Sequence, residues 1–226
     1  MRCALYFGSF NPLHIGHAAI ARYVLDNCNV DSLRLVLTPV NPFKEADPSL
    51  TNVEIRLENL KKSVDKFNNA CSDSNSNSNS NSNSNSNSNS NSNSNSNSNS
   101  NSNSNSNSNS NNTAEKKLLE ISTVEFDLPK PNYTYNTLQF LKETEPENTF
   151  IIIIGADNLA VIDKWHKGLE ILSTYEVWVY PRQGFDTKAL CEKYGAIYLD
   201  APQVDVSSTM IREGEAKGLD MNHLRY

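Results

Sequence analysis

Cys3-Ala4-Leu5-Tyr6-Phe7-Gly8-Ser9-Phe10-Asn11-Pro12-Leu13-His14-Ile15-Gly16-His17 is the stretch from which the fold is read. Five apolar residues in a row are what a strand covered on both faces needs. Gly8 and Pro12 then punctuate a turn. From Ile15 onward the pattern changes period: Ile20, Val24 and Cys28, joined by Leu25, recur on one side of a helix over residues 15–28. Strand, turn and helix thus follow one another directly, with two histidines at the junction.

The same change of period recurs along the chain. β-rich runs at residues 33–38, 118–126, 149–154, 176–180 and 196–199 alternate with helical patterns at 53–67, 135–143, 159–172, 187–194 and 208–217. Residues 150–154 are apolar throughout, as a central parallel strand must be. In the helix at 53–67, Ile55, Leu57, Leu60 and Val64 form the apolar side, with charges between them. Strands alternating with helices at this spacing predict an α/β fold, a Rossmann-like doubly wound parallel sheet with helices on both faces. Ligands of such sheets bind beyond the carboxyl ends of the strands.

One segment has no place in that alternation. Residues 74–111 are a strict repeat of Ser and Asn. With no apolar residue to offset the entropy of ordering, the repeat is read as disordered; Asn-rich tracts also carry a β-aggregation hazard. Neither flank looks complete alone. The tract therefore reads as a low-complexity insertion at about residues 72–112 of a single domain spanning residues 1–226.

Bulk properties exclude several classes. A net charge of −6 argues against broad nucleic-acid binding, which needs a cationic face. The N-terminus has no secretory pattern, and the longest apolar run falls far short of the ~20 residues of a membrane helix. The expected location is the cytoplasm or nucleus, without membrane attachment. Four cysteines, at 3, 28, 71 and 191, form no CxxC pair, so packing thiols are expected rather than metal ligands or disulfides.

The turn at Gly8 carries the chemistry. Glycine lets the backbone approach a ligand closely, and a helix N-terminus offers unpaired N–H groups suited to phosphate. His14 and His17, three apart, share a face of the first helical turn, and Gly16 keeps the approach open. Two imidazoles aimed at one point can donate to phosphoryl oxygens as charge builds in a transition state. Surface or capping histidines would satisfy HxxH alone. The whole string Gly8, Phe10, Pro12, His14, Gly16, His17 at a strand–turn–helix junction is far more specific.

That string fits both tRNA synthetases and smaller nucleotidyltransferases. The synthetase reading requires a Lys-Met-Ser-Lys-Ser-like loop and a much longer chain, and neither is found. Instead Val206-Ser207-Ser208-Thr209-Met210-Ile211-Arg212 stands near the end. Ser207 reads as an N-cap, with Val206 and Ile211 as a hydrophobic staple. Ser208 and Arg212 are then i and i+4 on one face. A hydroxyl, free N–H groups and a guanidinium at a helix start make a second polyphosphate site.

Together the two motifs resemble the nucleotidylyltransferase superfamily, and the middle of the chain narrows the family. Lys130-Pro131-Asn132-Tyr133-Thr134-Tyr135-Asn136-Thr137-Leu138 resembles the PSYTxDTL segment of bacterial-type nicotinate/nicotinamide mononucleotide adenylyltransferases. Phe150-Ile151-Ile152-Ile153-Ile154-Gly155-Ala156-Asp157-Asn158, with Trp165 and His166 following, resembles their FIIGAD…W element. Asn41-Pro42-Phe43-Lys44 is similar to their PPHK loop, with Phe43 where the bacterial pattern has His. Val179-Tyr180-Pro181-Arg182-Gln183-Gly184-Phe185 matches their ARPGY segment loosely. The resemblance runs to about Gly214 and excludes the Ser-Asn repeat. After Arg212 only residues 213–226 remain, where the family continues into another helix; a homo-oligomer is left open.

The resemblance implies roles residue by residue. Gly8, Ser9 and Phe10 would line the dinucleotide site. His14 and His17 would contact the ATP phosphates, with His17 near the α-phosphate. Gly155 and Asp157 would hold the adenosine ribose, and Ser208, Thr209 and Arg212 would grip the triphosphate. Lys44, Tyr133, Thr134 and Trp165 would take the mononucleotide, Trp165 stacking on its pyridine ring. His14, His17, Lys44 and Arg212 would form the catalytic set. Each has a plainer alternative: Trp165 as core, Lys44 as a solvated side chain, Thr134 as a helix cap, Asp157 as a strand-end cap.

The implied substrates are ATP and nicotinate mononucleotide, or nicotinamide mononucleotide, with Mg²⁺ carried by the ATP phosphates and no protein metal cage. The other readings are a small transferase acting on phosphopantetheine or a phospho-alcohol, and a nucleotide-binding module without turnover.

Overall fold

A computed structural model of the chain describes residues 1–39, 52–73 and 117–226. Lys44 with its neighbours, and the Ser-Asn repeat, lie outside the described residues. Six parallel strands, β1 (Arg2–Gly8), β2 (Ser32–Leu37), β3 (Leu119–Ser122), β4 (Thr149–Gly155), β5 (Glu176–Tyr180) and β6 (Ile197–Tyr198), form one sheet in the order β3-β2-β1-β4-β5-β6. The helices are α1 (Ile15–Asn27), α2 (Val53–Asp73), α3 (Thr134–Thr144), α4 (Ala156–Leu159), α5 (Gly168–Thr174), α6 (Thr187–Tyr194) and α7 (Ser208–Ala216). This is the expected doubly wound sheet of the Rossmann type. Its order reverses between β1 and β4, and that switch point opens a crevice at the carboxyl ends of these two strands.

Period-two alternation sorts the core into two layers. Ala4 and Tyr6 of β1, with Ile151 and Ile153 of β4, face Ile20, Val24 and Leu25 of α1 and Leu60, Val64 and Phe67 of α2. Leu5, Ile152 and Ile154 point the other way, against Leu138 and Leu141 of α3, Leu159 of α4 and Ile171 of α5. A run that is apolar at every position is therefore covered on both sides.

Three local expectations differ from the structure. The strand expected over residues 118–126 stops at Ser122, and Val124–Phe126 is a 3₁₀ turn. The helix expected over 159–172 is broken into α4, a 3₁₀ turn at Ile162–Lys164, and α5. The break is steric: Lys167 takes a left-handed φ of 53°, and a Cβ at Gly168 would collide with the Ile162 carbonyl. In α2 the buried face runs through Arg56, Leu60, Val64 and Phe67, and Ile55 is half exposed. One residue is about 100° of helix, so Ile55 lies off that stripe.

Residues beyond α7 fold back onto the first turn. A 3₁₀ turn at Asn222–Leu224 leads to Arg225, which bridges His14 antiparallel, and the Tyr226 N–H donates to the Leu13 carbonyl at 3.2 Å. The Ser63 hydroxyl in α2 donates to the Tyr226 carbonyl at 2.8 Å. Among the described residues no helix is long and apolar enough to cross a membrane.

Candidate active site

His14 and His17 are organised by helix capping. His14 is the N-cap of α1: its Nδ1 accepts from the His17 N–H, and His17 Nδ1 accepts from the His14 N–H, both at 3.4 Å. This is a capping box built from imidazoles. The rings stack with centroids 3.7 Å apart. With Nδ1 accepting, a neutral imidazole carries its proton on Nε2, so the cap also fixes the tautomer. Burial, reinforced by the Arg182 charge, lowers the His14 pKa to about 4, so this ring is neutral at physiological pH. Gly16 serves packing as well as access, since a Cβ there would stand 3.1 Å from the His14 ring and press on it.

α7 brings the distant motif to the same loop. Ser207 is its N-cap, accepting from the Met210 N–H at 3.1 Å, and Val206 and Ile211 are both buried, as a staple requires. The Ser208 hydroxyl donates to the Pro12 carbonyl at 3.0 Å, and Arg212 Nη1 donates to the Asn11 carbonyl at 3.0 Å. Gly8, Ser9, Phe10, His14, His17, Asp157, Ser208 and Thr209 line one open groove of about 500 Å³. Arg212 is not among the residues lining the groove and ties the loop to α7 through the Asn11 carbonyl.

A second, smaller cavity of about 110 Å³ opens on the other side of Gly8. Tyr133, Thr134, Trp165 and His166 line it, together with Gly155 from the end of β4. Tyr133 stacks on His166 with centroids 4.6 Å apart. Tyr133 rather than Thr134 is the N-cap of α3, and its side chain makes no capping bond. Gly8 and Asn158 border both spaces. A Cβ at 155 would displace the Asp157 carboxylate and press on the Tyr180 ring, so glycine here leaves both side chains in place.

Several contributors are not among the residues expected for this site. Arg56, 3 % exposed, reaches from α2 to the Ser9 and Thr38 carbonyls at 3.0 Å each and the Pro39 carbonyl at 2.6 Å, holding the ends of β1 and β2 together. Tyr6 and Tyr180 meet under the groove, the Tyr6 hydroxyl donating to that of Tyr180 at 3.2 Å. Arg182 Nη2 donates to the same Tyr180 oxygen at 3.3 Å, and its Nε lies 3.6 Å from Asp157 Oδ1, beyond hydrogen-bond range. Arg182 stands in the segment similar to ARPGY, which was its one signal. Glu125 and Asn132 stand at the back of the smaller cavity.

The sequence model of the cytidylyltransferase-like family matches residues 5–214, nearly the whole chain. The chain belongs to the cytidylyltransferase-like family. A protein named "Probable nicotinate-nucleotide adenylyltransferase" from Flavobacterium psychrophilum is 32% identical over 216 residues, covering 94% of this chain and 86% of its own length. One of the same name from Bacteroides fragilis is 30% identical over 223 residues, covering 98% of this chain and 86% of its own length. Among solved structures, the Plasmodium falciparum nicotinic acid mononucleotide adenylyltransferase complexed with NaAD superposes with a TM-score of 0.65 at 16% identity, covering 98% of this chain and 87% of that one. That likeness is one of fold. In this cytidylyltransferase-like chain the groove and the cavity meet at the switch point, where such sheets place their ligands.

Proposed function

We propose that this chain transfers AMP from ATP to nicotinate mononucleotide, releasing pyrophosphate and forming the dinucleotide used in NAD biosynthesis. The observation that carries this reading is the pair of spaces meeting at Gly8. A small cavity with Trp165, Tyr133 and Thr134 suits a pyridine ring, and an open groove with two imidazoles and the start of α7 suits a polyphosphate. A compound held across both would have its reacting phosphates at their junction.

The mononucleotide's phosphate oxygen attacks the α-phosphorus of ATP in line. One P–O bond forms, the bond to the β-phosphate oxygen breaks, and pyrophosphate leaves with the electron pair. An ionised phosphate needs neither a protein nucleophile nor a general base, so catalysis is positioning and charge stabilisation. His14 and His17 donate from Nε2 to oxygens around the α-phosphate. The N-terminus of α7, with Ser208 and Thr209, holds the leaving pyrophosphate, and Arg182, Arg212 and Lys44 balance its charge. Asp157 accepts the ribose hydroxyls, and Trp165 stacks on the ring.

Mg²⁺ belongs to the ATP substrate in this scheme. Among the described residues no group of three His, Cys, Asp or Glu side chains is arranged for a metal ion, and the groove's imidazoles, hydroxyls and helix N–H groups are donors to phosphate. An ion held by phosphate oxygens and water fits that donor set.

The test is to supply MgATP with nicotinate mononucleotide and, separately, nicotinamide mononucleotide, and to quantify dinucleotide and pyrophosphate. The acid form should be turned over preferentially. If neither dinucleotide forms, the assignment is overturned.

A further inference from the structure

The smaller cavity has a back wall that the reaction above does not use. Glu125, on the Val124–Phe126 turn, is 2 % exposed. Its Oε1 accepts from the Thr137 hydroxyl of α3 at 2.9 Å, and its backbone carbonyl accepts from Asn132 Nδ2 at 2.8 Å. Its Oε2 is buried with no hydrogen-bond partner, and so is Asn132 Oδ1. Buried polar atoms in native proteins are almost always satisfied, so two orphans on residues already bonded to each other call for a cause. Both are acceptors. A proton on the Glu125 carboxyl turns one of these two acceptors into a donor without burying a charge.

We propose that Glu125 works as a neutral carboxylic acid and is a positioning residue for the mononucleotide. It ties the Val124–Phe126 turn to α3 through Thr137 and to the segment before α3 through Asn132, and so sets Tyr133 and Thr134 against the ring. The proposal rests on the assignment of this cavity to the mononucleotide.

The surroundings of the carboxyl favour the neutral form. Burial raises its pKa from the usual carboxylate range to about 7, against the opposing pull of the Thr137 and Thr38 hydroxyls. The groups facing it are Thr137 on α3, Thr38 beyond β2 and Asn132 before α3, none of which titrates. Tyr6, Tyr133, His166 and Tyr180 are the titratable groups elsewhere on the cavity wall, and no lysine or arginine is among its described residues. When pH rises past neutrality the proton leaves. Oε2 then carries a buried charge with no hydrogen-bond partner of its own, and the wall holding Tyr133 and Thr134 loosens. The polyphosphate groove does not include Glu125 and should not respond.

The experiment measures KM for nicotinate mononucleotide and for ATP from pH 6 to 9, in the wild type and in Glu125→Gln, whose amide donates as the protonated acid would. Quenching of tryptophan fluorescence by the mononucleotide without ATP follows binding apart from turnover. In the wild type, KM for the mononucleotide should rise above neutrality, approaching about tenfold per pH unit, while KM for ATP stays flat. In Glu125→Gln the mononucleotide KM should be independent of pH. The substrate's own second phosphate ionisation, near pH 6, is nearly complete before this limb and is common to both proteins.

An equal rise in Glu125→Gln, no rise in the wild type, or a parallel rise in the ATP KM would overturn the proposal. Should Glu125→Gln fail to fold, Thr137→Val removes the hydroxyl that lowers the carboxyl's pKa, and the limb should move to higher pH; an unmoved limb counts against the role. If no dinucleotide forms from either mononucleotide at any pH, the assigned reaction itself falls and this role with it. If dinucleotide forms but the two pH profiles coincide, only the role of Glu125 falls.

Discussion

In the proposed mechanism His14 and His17 do two jobs with one geometry. Each ring closes the start of α1 through Nδ1, which leaves the Nε2 proton as the donor a developing phosphate charge needs. The lowered pKa of His14 keeps its ring neutral, so the donor proposed for it does not wait on acid pH. His17→Ala removes one such donor and one capping bond. Turnover should fall at least ~100-fold while the protein stays folded by circular dichroism, and unaltered turnover would refute the mechanism. At this scale the two histidines, Gly8 and Gly16 were legible because the string is long and the chemistry of each letter is narrow. Arg56 and Glu125 were not. An arginine beside an amphipathic stripe and a glutamate after a short strand have the same spelling whether exposed or buried, and only packing tells which.

Element by element, the caps explain why two motifs almost two hundred residues apart in sequence form one groove. α7 starts at Ser207 because its hydroxyl satisfies the Met210 N–H, and the next hydroxyl, Ser208, reaches the Pro12 carbonyl at 3.0 Å. That bond ties the start of α7 to the loop before α1. Ser208→Ala should raise the KM for ATP several-fold, the value of one hydrogen bond of about 1 kcal/mol, with a smaller effect on the mononucleotide KM. Steady-state kinetics with each substrate varied in turn decide this; equal changes in both would show a general loosening. The helix expected over residues 159–172 failed at this scale for a steric reason. Apolar periodicity counts residues but is blind to the left-handed turn at Lys167 and the close approach of Gly168 to Ile162.

For the whole molecule, the two sides of the Ser-Asn repeat belong to one sheet. Asn68 of α2 brackets Leu119 of β3: its Nδ2 donates to the Leu119 carbonyl at 3.0 Å and its Oδ1 accepts from the Leu119 N–H at 3.1 Å. The chain therefore leaves and re-enters the fold at nearby points, and we propose that the repeat is an insertion in a single domain. Replacing residues 74–116 with a flexible linker of about eight residues should leave kcat within twofold. It should also raise stability by about 1.5 kcal/mol through cheaper loop closure, seen as a higher midpoint of thermal unfolding. Lost activity with an intact fold would give the repeat a part in the site.

The sequence by itself determined the class of fold, the position of the first turn and the chemistry of the ligand proposed for it. These follow from local period, from glycine and proline at fixed places, and from side chains whose chemistry travels with them. Tertiary structure alone decided that β4 lies beside β1, so that Gly8 and Gly155 border one cavity, and that α7 docks on the loop before α1. It also decided that a carboxyl and a guanidinium are buried behind the site. Strand order and burial depend on which surfaces meet after the chain has closed long loops, and no local pattern of residues encodes that meeting.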